Sequence, residues 1–196
     1  MRSSALIALA FFLSAAAASA GEIELAPFGG LQFGGSVNSS LDGRRFDLGA
    51  GFTWGATLDV PVTPGWRVEL LFSRQDTQLS SRGRDRLGLT VERYLVGIQE
   101  EKGPDRTKFF GVFLLGATRF APSLSGYSPD LRFTAGLSLG VKHAVSGHIA
   151  LRAEARGFFV NGDSGSGLVC SGGCLFVINA QGLWQGDVSA GIGLRL

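Results

Sequence analysis

Few residues of this chain could do chemistry. Cys170 and Cys174 stand in the run CSGGC and are the only cysteines among 196 residues. An even pair in an oxidising compartment reads as a disulfide, and the adjoining glycines let so short a loop close. A zinc site would need four ligands, and no histidine lies nearby in sequence; a dithiol redox role ranks below a structural bond. The two histidines, His143 and His148, flank a short turn and read as solvated. Ser123, Asp163 and Ser164 have no base beside them, so nucleophilic catalysis is not expected, and neither is a metal or a cofactor. The G-x-G pairs at 49–51 and 191–193 lie inside strand patterns with no helix after them, which excludes a nucleotide fingerprint.

Arginine is the remaining candidate. Arg82, Arg84 and Arg86 crowd the segment RQDTQLSSRGRDR, with Arg74 at its start, and Arg44 and Arg45 occupy an earlier loop. Guanidinium pairs well with phosphate, so Arg82, Arg84 and Arg86 form a candidate polyanion contact. The alternative is a soluble mixed-charge loop, because Asp76 and Asp85 offset them. A net charge of +2 is too near balance to indicate nucleic acid.

The elements that must position these residues are strands. From Phe46 to Val60 every even position is apolar (Phe46, Leu48, Ala50, Phe52, Trp54, Ala56, Leu58, Val60), and every odd one is Gly, Thr or Asp. That is a period of two, and a helix there would carry several glycines at about 1 kcal/mol each. The same pattern recurs over 22–37, 66–73, 131–142, 148–159 and 184–196. Two segments are less regular. In 87–100 the apolar phase switches at Glu92-Arg93, which suggests a bulge; in 108–120 both faces are apolar and only Arg119 hints at the polar side. Eight strands result. Their connections alternate: short at 61–65, 102–106 and 144–147, longer at 38–45, 75–86, 121–130 and 161–182.

Ahead of the strands, Arg2 precedes the apolar run Ala5–Leu13, and a small-residue stretch ends in Ala18-Ser19-Ala20. This reads as a secretory signal cleaved after Ala20, leaving 21–196 as one domain. No apolar run is long enough for a spanning helix.

Long charged residues fall on the polar faces: Arg67, Glu69, Glu92, Arg132, Lys142, Arg152, Glu154, Arg156, Asp187 and Arg195. Strands one, two and eight offer mostly glycine and serine there, so side chains from one wall are expected to fill space left by glycines on the other. Eight strands enclose just enough room for side chains, and buried charges must pair. A filled salt-bridge interior is therefore expected in place of an open pore. Short turns at one end, long loops at the other and aromatic strand ends favour an all-β, eight-stranded antiparallel up-and-down transmembrane barrel, apolar outside, with short periplasmic turns and long extracellular loops. A soluble lipocalin-like binder would reverse the faces.

The leader, the eight alternating strands, the long odd-numbered connections and the terminal run DVSAGIGLRL resemble the small outer-membrane β-barrel superfamily of the OmpA transmembrane domain, OmpX, Ail, the opacity-type antigens and OmpW. The resemblance covers the whole of 21–196. Members commonly end in Phe; this chain ends in Leu196. The resemblance implies insertion by the outer-membrane assembly machinery, outer-membrane lipids and lipopolysaccharide as neighbours, and a monomer. It implies a structural or surface-interaction role in adhesion or envelope integrity, with an OmpW-like transporter of small hydrophobic molecules as the alternative. Enzymes of this architecture use a histidine near the extracellular rim; His143 and His148 belong to the other end, so no enzyme is expected.

Overall fold

The computed structural model describes residues 22–39, 45–81, 85–123, 128–162, 176–177 and 182–196. The leader, Arg82, Arg84, Cys170 and Cys174 lie outside the described residues. The elements are β1 (Glu24–Phe33), β2 (Ser36–Ser39), β3 (Arg45–Leu48), β4 (Gly51–Thr63), β5 (Trp66–Ser81), β6 (Asp85–Lys102), β7 (Thr107–Pro122), β8 (Asp130–Ala144), β9 (Ile149–Val160), β10 (Phe176–Val177) and β11 (Leu183–Arg195).

Eight of these are staves of a closed antiparallel barrel in the order β1-β4-β5-β6-β7-β8-β9-β11, with β11 returning to β1. The short β10, β2 and β3 extend the sheet from β5 at the long-loop end. The stagger can be traced through directly opposed residues. Leu131 on β8 faces Arg119, then Glu92, Arg74, Trp54, Gly29, Ala190 and Ala153, and the path returns to β8 at Val141. The register thus slips ten residues in one circuit, from 131 to 141, as strands tilted by roughly 35–45° require.

Three expectations about the strands need correction. The first two staves are not continuous: Gly34 and Gly35 have φ of 83° and 100°, a backbone that glycine alone adopts freely, and they separate β1 from β2. Gly49 and Ala50 separate β3 from β4. The long connection at 75–86 is mostly strand, because β5 and β6 stay paired from Trp66↔Glu100 to Ser81↔Asp85. Finally, β6 has no bulge at Glu92-Arg93: its pairing to β5 and β7 runs without a shift. Arg93, Leu95 and Gln99 point inward and are buried, while Tyr94, Val96 and Ile98 point out and are about half exposed.

The outer wall is apolar. Leu137, Leu139, Phe113, Val96, Leu70, Phe52 and Leu151 are all large and exposed, and each alternates with an inward residue. A continuous apolar surface of this kind is stable only against lipid or a partner. Leu137, at mid-strand on β8, reports the orientation: Leu137→Arg is expected to destabilise the barrel in lipid vesicles by about 2–4 kcal/mol. Urea midpoints of the two proteins check this, and an unchanged midpoint would mean that this wall does not face lipid.

Candidate functional site: the lumen and the long-loop rim

The lumen is filled from opposite walls. At its short-turn end Lys142 on β8 reaches across to Asp59 on β4 at 2.6 Å, and also meets Glu24 at 3.1 Å and Glu101 at 2.9 Å. Arg152 on β9 donates from Nη1 to Asp59 at 2.9 Å, from Nη2 to Glu69 on β5 at 2.5 Å and from Nε to Glu154 at 2.9 Å. Arg156 joins Glu154 at 2.7 Å to Asp187 at 3.3 Å. Arg195 approaches Glu24 at 3.4 Å. Arg67 donates to the carbonyl of Glu22 and lies 3.9 Å from Glu101. Cations and carboxylates interleave, which is what makes burial of so many charges tolerable.

Among these charges sit inward aromatic rings, each covered by a cation. The Arg156 guanidinium lies 4.2 Å from the centre of Phe28, Arg152 4.4 Å from Phe110, and Arg93 4.4 Å from Phe158. Glycines make the room: a Cβ on Gly140 would strike Phe110, and one on Gly55 would come within 2.7 Å of Phe28. Arg93 is fully buried. Its Nη1 donates to Gln32 at 2.7 Å and its Nη2 to Gln185 at 2.5 Å, on the far wall. Nearer the long loops the inward residues turn apolar: Leu89, Val91, Phe120, Val160 and Leu183 are buried, with Val91 opposite Phe120 and Leu183 opposite Val160.

The structure thus places Arg67, Glu69, Lys142, Arg152, Glu154, Arg156, Asp187 and Arg195 on the lumen side. Arg132 shares the inward face of β8 with buried Thr134 and Ser138 and bonds Asp130 at 2.5 Å. Glu92 is a correction. It stands on the outward face of β6 with Tyr94 and Val96, and Arg119 is outward too. The physical reason is depth: beyond the apolar belt the outside meets polar surroundings and the inside packs, so the alternation of apolar and polar reverses. Arg93, at the switch of apolar phase, was assigned to neither face by the sequence; it points inward. Asp59 and Glu24, the anions bridged by Lys142, lay on faces already read as polar. Arg86 is in β6, paired with Ser80. His143 lies at the short-turn end, its Nδ1 2.9 Å from Thr107 Oγ1.

At the long-loop end of the outer wall the ordering is distinctive. Arg74 Nη1 donates to Glu92 at 3.2 Å, and Arg119 Nη1 donates to the other Glu92 oxygen at 2.7 Å. Asp76 accepts from Thr90 at 2.6 Å and from Arg74 at 3.2 Å. The Thr90 hydroxyl does most to hold the Asp76 carboxyl below its usual value; burial opposes it, and the Arg74 hydrogen bond and charge reinforce it.

A closed eight-stave barrel with a polar, ion-paired lumen and an apolar wall defines a membrane-spanning β-barrel. The chain belongs to the outer membrane protein beta-barrel domain family, whose model matches residues 5–195. Membership places it in the outer membrane, with the short turns periplasmic and the long loops outside. Among solved structures it is similar to OprG from Pseudomonas aeruginosa (14% identity, 90% of this chain and 96% of that one, TM-score 0.60). It is also similar to Neisserial surface protein A (16%, 90% and 98%, TM-score 0.57) and to AlkL (15%, 90% and 90%, TM-score 0.53). At such identities the likeness is one of fold. No curated protein sequence matches the chain.

Proposed function

We propose that this protein is a non-conducting outer-membrane anchor whose long extracellular loops act at the cell surface, in adhesion or in envelope integrity. It is exported with removal of residues 1–20, inserted by the outer-membrane assembly machinery and works as a monomer. The observation that supports this is the set of bonds across the lumen. Lys142–Asp59, Arg152–Glu69 and Arg93–Gln185 each join staves on opposite sides of the barrel, so an ion would have to break them to pass. What remains for the chain to do lies at the long-loop end, where Arg82, Arg84 and Arg86, the last of them within β6, are the candidate polyanion contact.

The test is planar-bilayer recording of the purified, refolded protein. No steady conductance is expected, with only brief events when the lumen bonds open. A stable open level would overturn the reading and make the barrel a pore.

A further inference from the structure

On the lipid-facing wall the outward columns of β5, β6 and β7 all change character at one place. On β5 the run Leu70, Phe72 gives way to Arg74 and Asp76; on β6, Val96 and Tyr94 give way to Glu92 and Thr90; on β7, Leu115 and Ala117 give way to Arg119. Arg74, Glu92 and Arg119 stand directly opposite one another across the three strands. Glu92 is only 11% exposed, whereas Arg74 and Arg119 keep 37% and 39% of their side chains open. The carboxylate therefore aligns two guanidiniums whose outer edges face the surroundings. Tyr94 adds its hydroxyl to Glu92 at 3.4 Å. Among the described residues a single Arg119 nitrogen is engaged, which leaves donors of its fork for another acceptor.

Beneath this cluster the same wall is hollowed. A shallow, open apolar depression of about 540 Å³ runs over β4 to β7, lined by Ala56, Leu70, Phe72, Tyr94, Val96 and Leu115 among others. Phe72 and Tyr94 line it and also stand one outward position below Arg74 and Glu92, so groove and charges are continuous. An apolar groove at membrane depth, capped at the extracellular interface by aligned guanidiniums, has the form of an amphipathic lipid with an anionic head. Fork-shaped donors suit phosphate oxygens better than they suit a neutral sugar.

We propose that this wall binds one phosphorylated, acylated lipid of the outer leaflet, with its phosphate on Arg74 and Arg119 and an acyl chain in the groove. The inference rests on the membrane-embedded wall and not on the surface role of the loops; a barrel that conducts could still bind the lipid, so the two readings fail separately.

The probe is bis-phosphorylated lipid A, titrated into the refolded full barrel in detergent and read by native mass spectrometry. One bound lipid is expected to persist on the parent protein. The double variant Arg74→Gln/Arg119→Gln is expected to bind it about tenfold or more weakly, the scale of losing charge-assisted hydrogen bonds. Dephosphorylated lipid A should bind the parent as weakly as the intact lipid binds that variant. Ala56→Leu, which intrudes on the groove and leaves every charge in place, should also weaken binding, and Lys102→Gln at the periplasmic end should not. Heat-dependent mobility in SDS verifies that each variant is folded; if the double variant is not, Ala56→Leu and the dephosphorylated lipid decide the matter. Equal binding of the dephosphorylated lipid, or unchanged binding by both wall variants, overturns the proposal. Displacement of the lipid by millimolar inorganic phosphate alone would also overturn it, because the site would then hold free anion and not a lipid.

Discussion

Replacing Arg152 with methionine is expected to cost about 3–5 kcal/mol of barrel stability, the range for leaving a buried charge without its partner. Three carboxylates converge on this side chain, at 2.5 Å (Glu69), 2.9 Å (Asp59) and 2.9 Å (Glu154). They do not lose equally. Asp59 retains Lys142 and Glu154 retains Arg156. Glu69 is fully buried, and among the described residues its one ion-pair partner is Arg152. The loss should therefore come mainly from Glu69, and a second change identifies it: Arg152→Met/Glu69→Gln should recover a large part of the deficit, a coupling well beyond the few tenths of a kcal/mol seen between independent sites. Lys142→Met should cost less, since Asp59 keeps Arg152 and Glu24 keeps Arg195. Urea midpoints in lipid vesicles, followed by tryptophan fluorescence, order the variants. Purely additive losses for Arg152 and Glu69 would show that the lumen screens its charges as bulk water does, and the account of a tightly paired interior would fail.

How much of this could be seen in the sequence depends on depth in the membrane. Where a stave has lipid on one side and the lumen on the other, alternation is strict: residues 148–159 and 131–142 reveal both the strand and its faces, because a single misplaced polar residue on the outside is costly. Above the belt that constraint ends. Leu89 and Val91 can pack inward, Glu92 can stand outward, and the pattern slips although the backbone does not. Which charge meets which is a separate matter. Parity puts Asp59 and Arg152 on the inner face, but their meeting depends on a ten-residue stagger around the closed sheet, a property of the whole barrel and not of any one strand. The same holds for Gln32 and Gln185 as partners of Arg93: a glutamine inside a strand carries no mark of the cation it will hold. The cluster at Arg74, Glu92 and Arg119 was hidden for both reasons, since it needs the reversal above the belt and the cross-strand register together.

Phe110→Ala is expected to destabilise the barrel by about 3–5 kcal/mol, as large-to-small changes at packed aromatic sites do. Phe110 is an inward ring in a mostly polar lumen and is almost completely buried. It packs in a cluster with Phe28, Leu71, Leu95, Val112, Leu114 and Phe158. Arg152 lies 4.4 Å and Lys142 Nζ 5.3 Å from its centre, so the ring supports the two cations that tie opposite walls. Its own space exists because residue 140 on the neighbouring strand is glycine. Gly140→Leu in the parent should therefore be harmful, by about 1–3 kcal/mol of overpacking, and less harmful when combined with Phe110→Ala, because leucine then occupies part of the vacated volume although its Cβ still meets the Ala153 carbonyl oxygen at 2.7 Å. That difference between the two backgrounds is the decisive outcome. A void bordered by Lys142 and Arg152 is polar enough to admit water, which sets the competing result. If Phe110→Ala costs well under about 1 kcal/mol and Gly140→Leu harms both backgrounds alike, water replaces the ring without penalty. The lumen would then be held closed by its ion pairs alone.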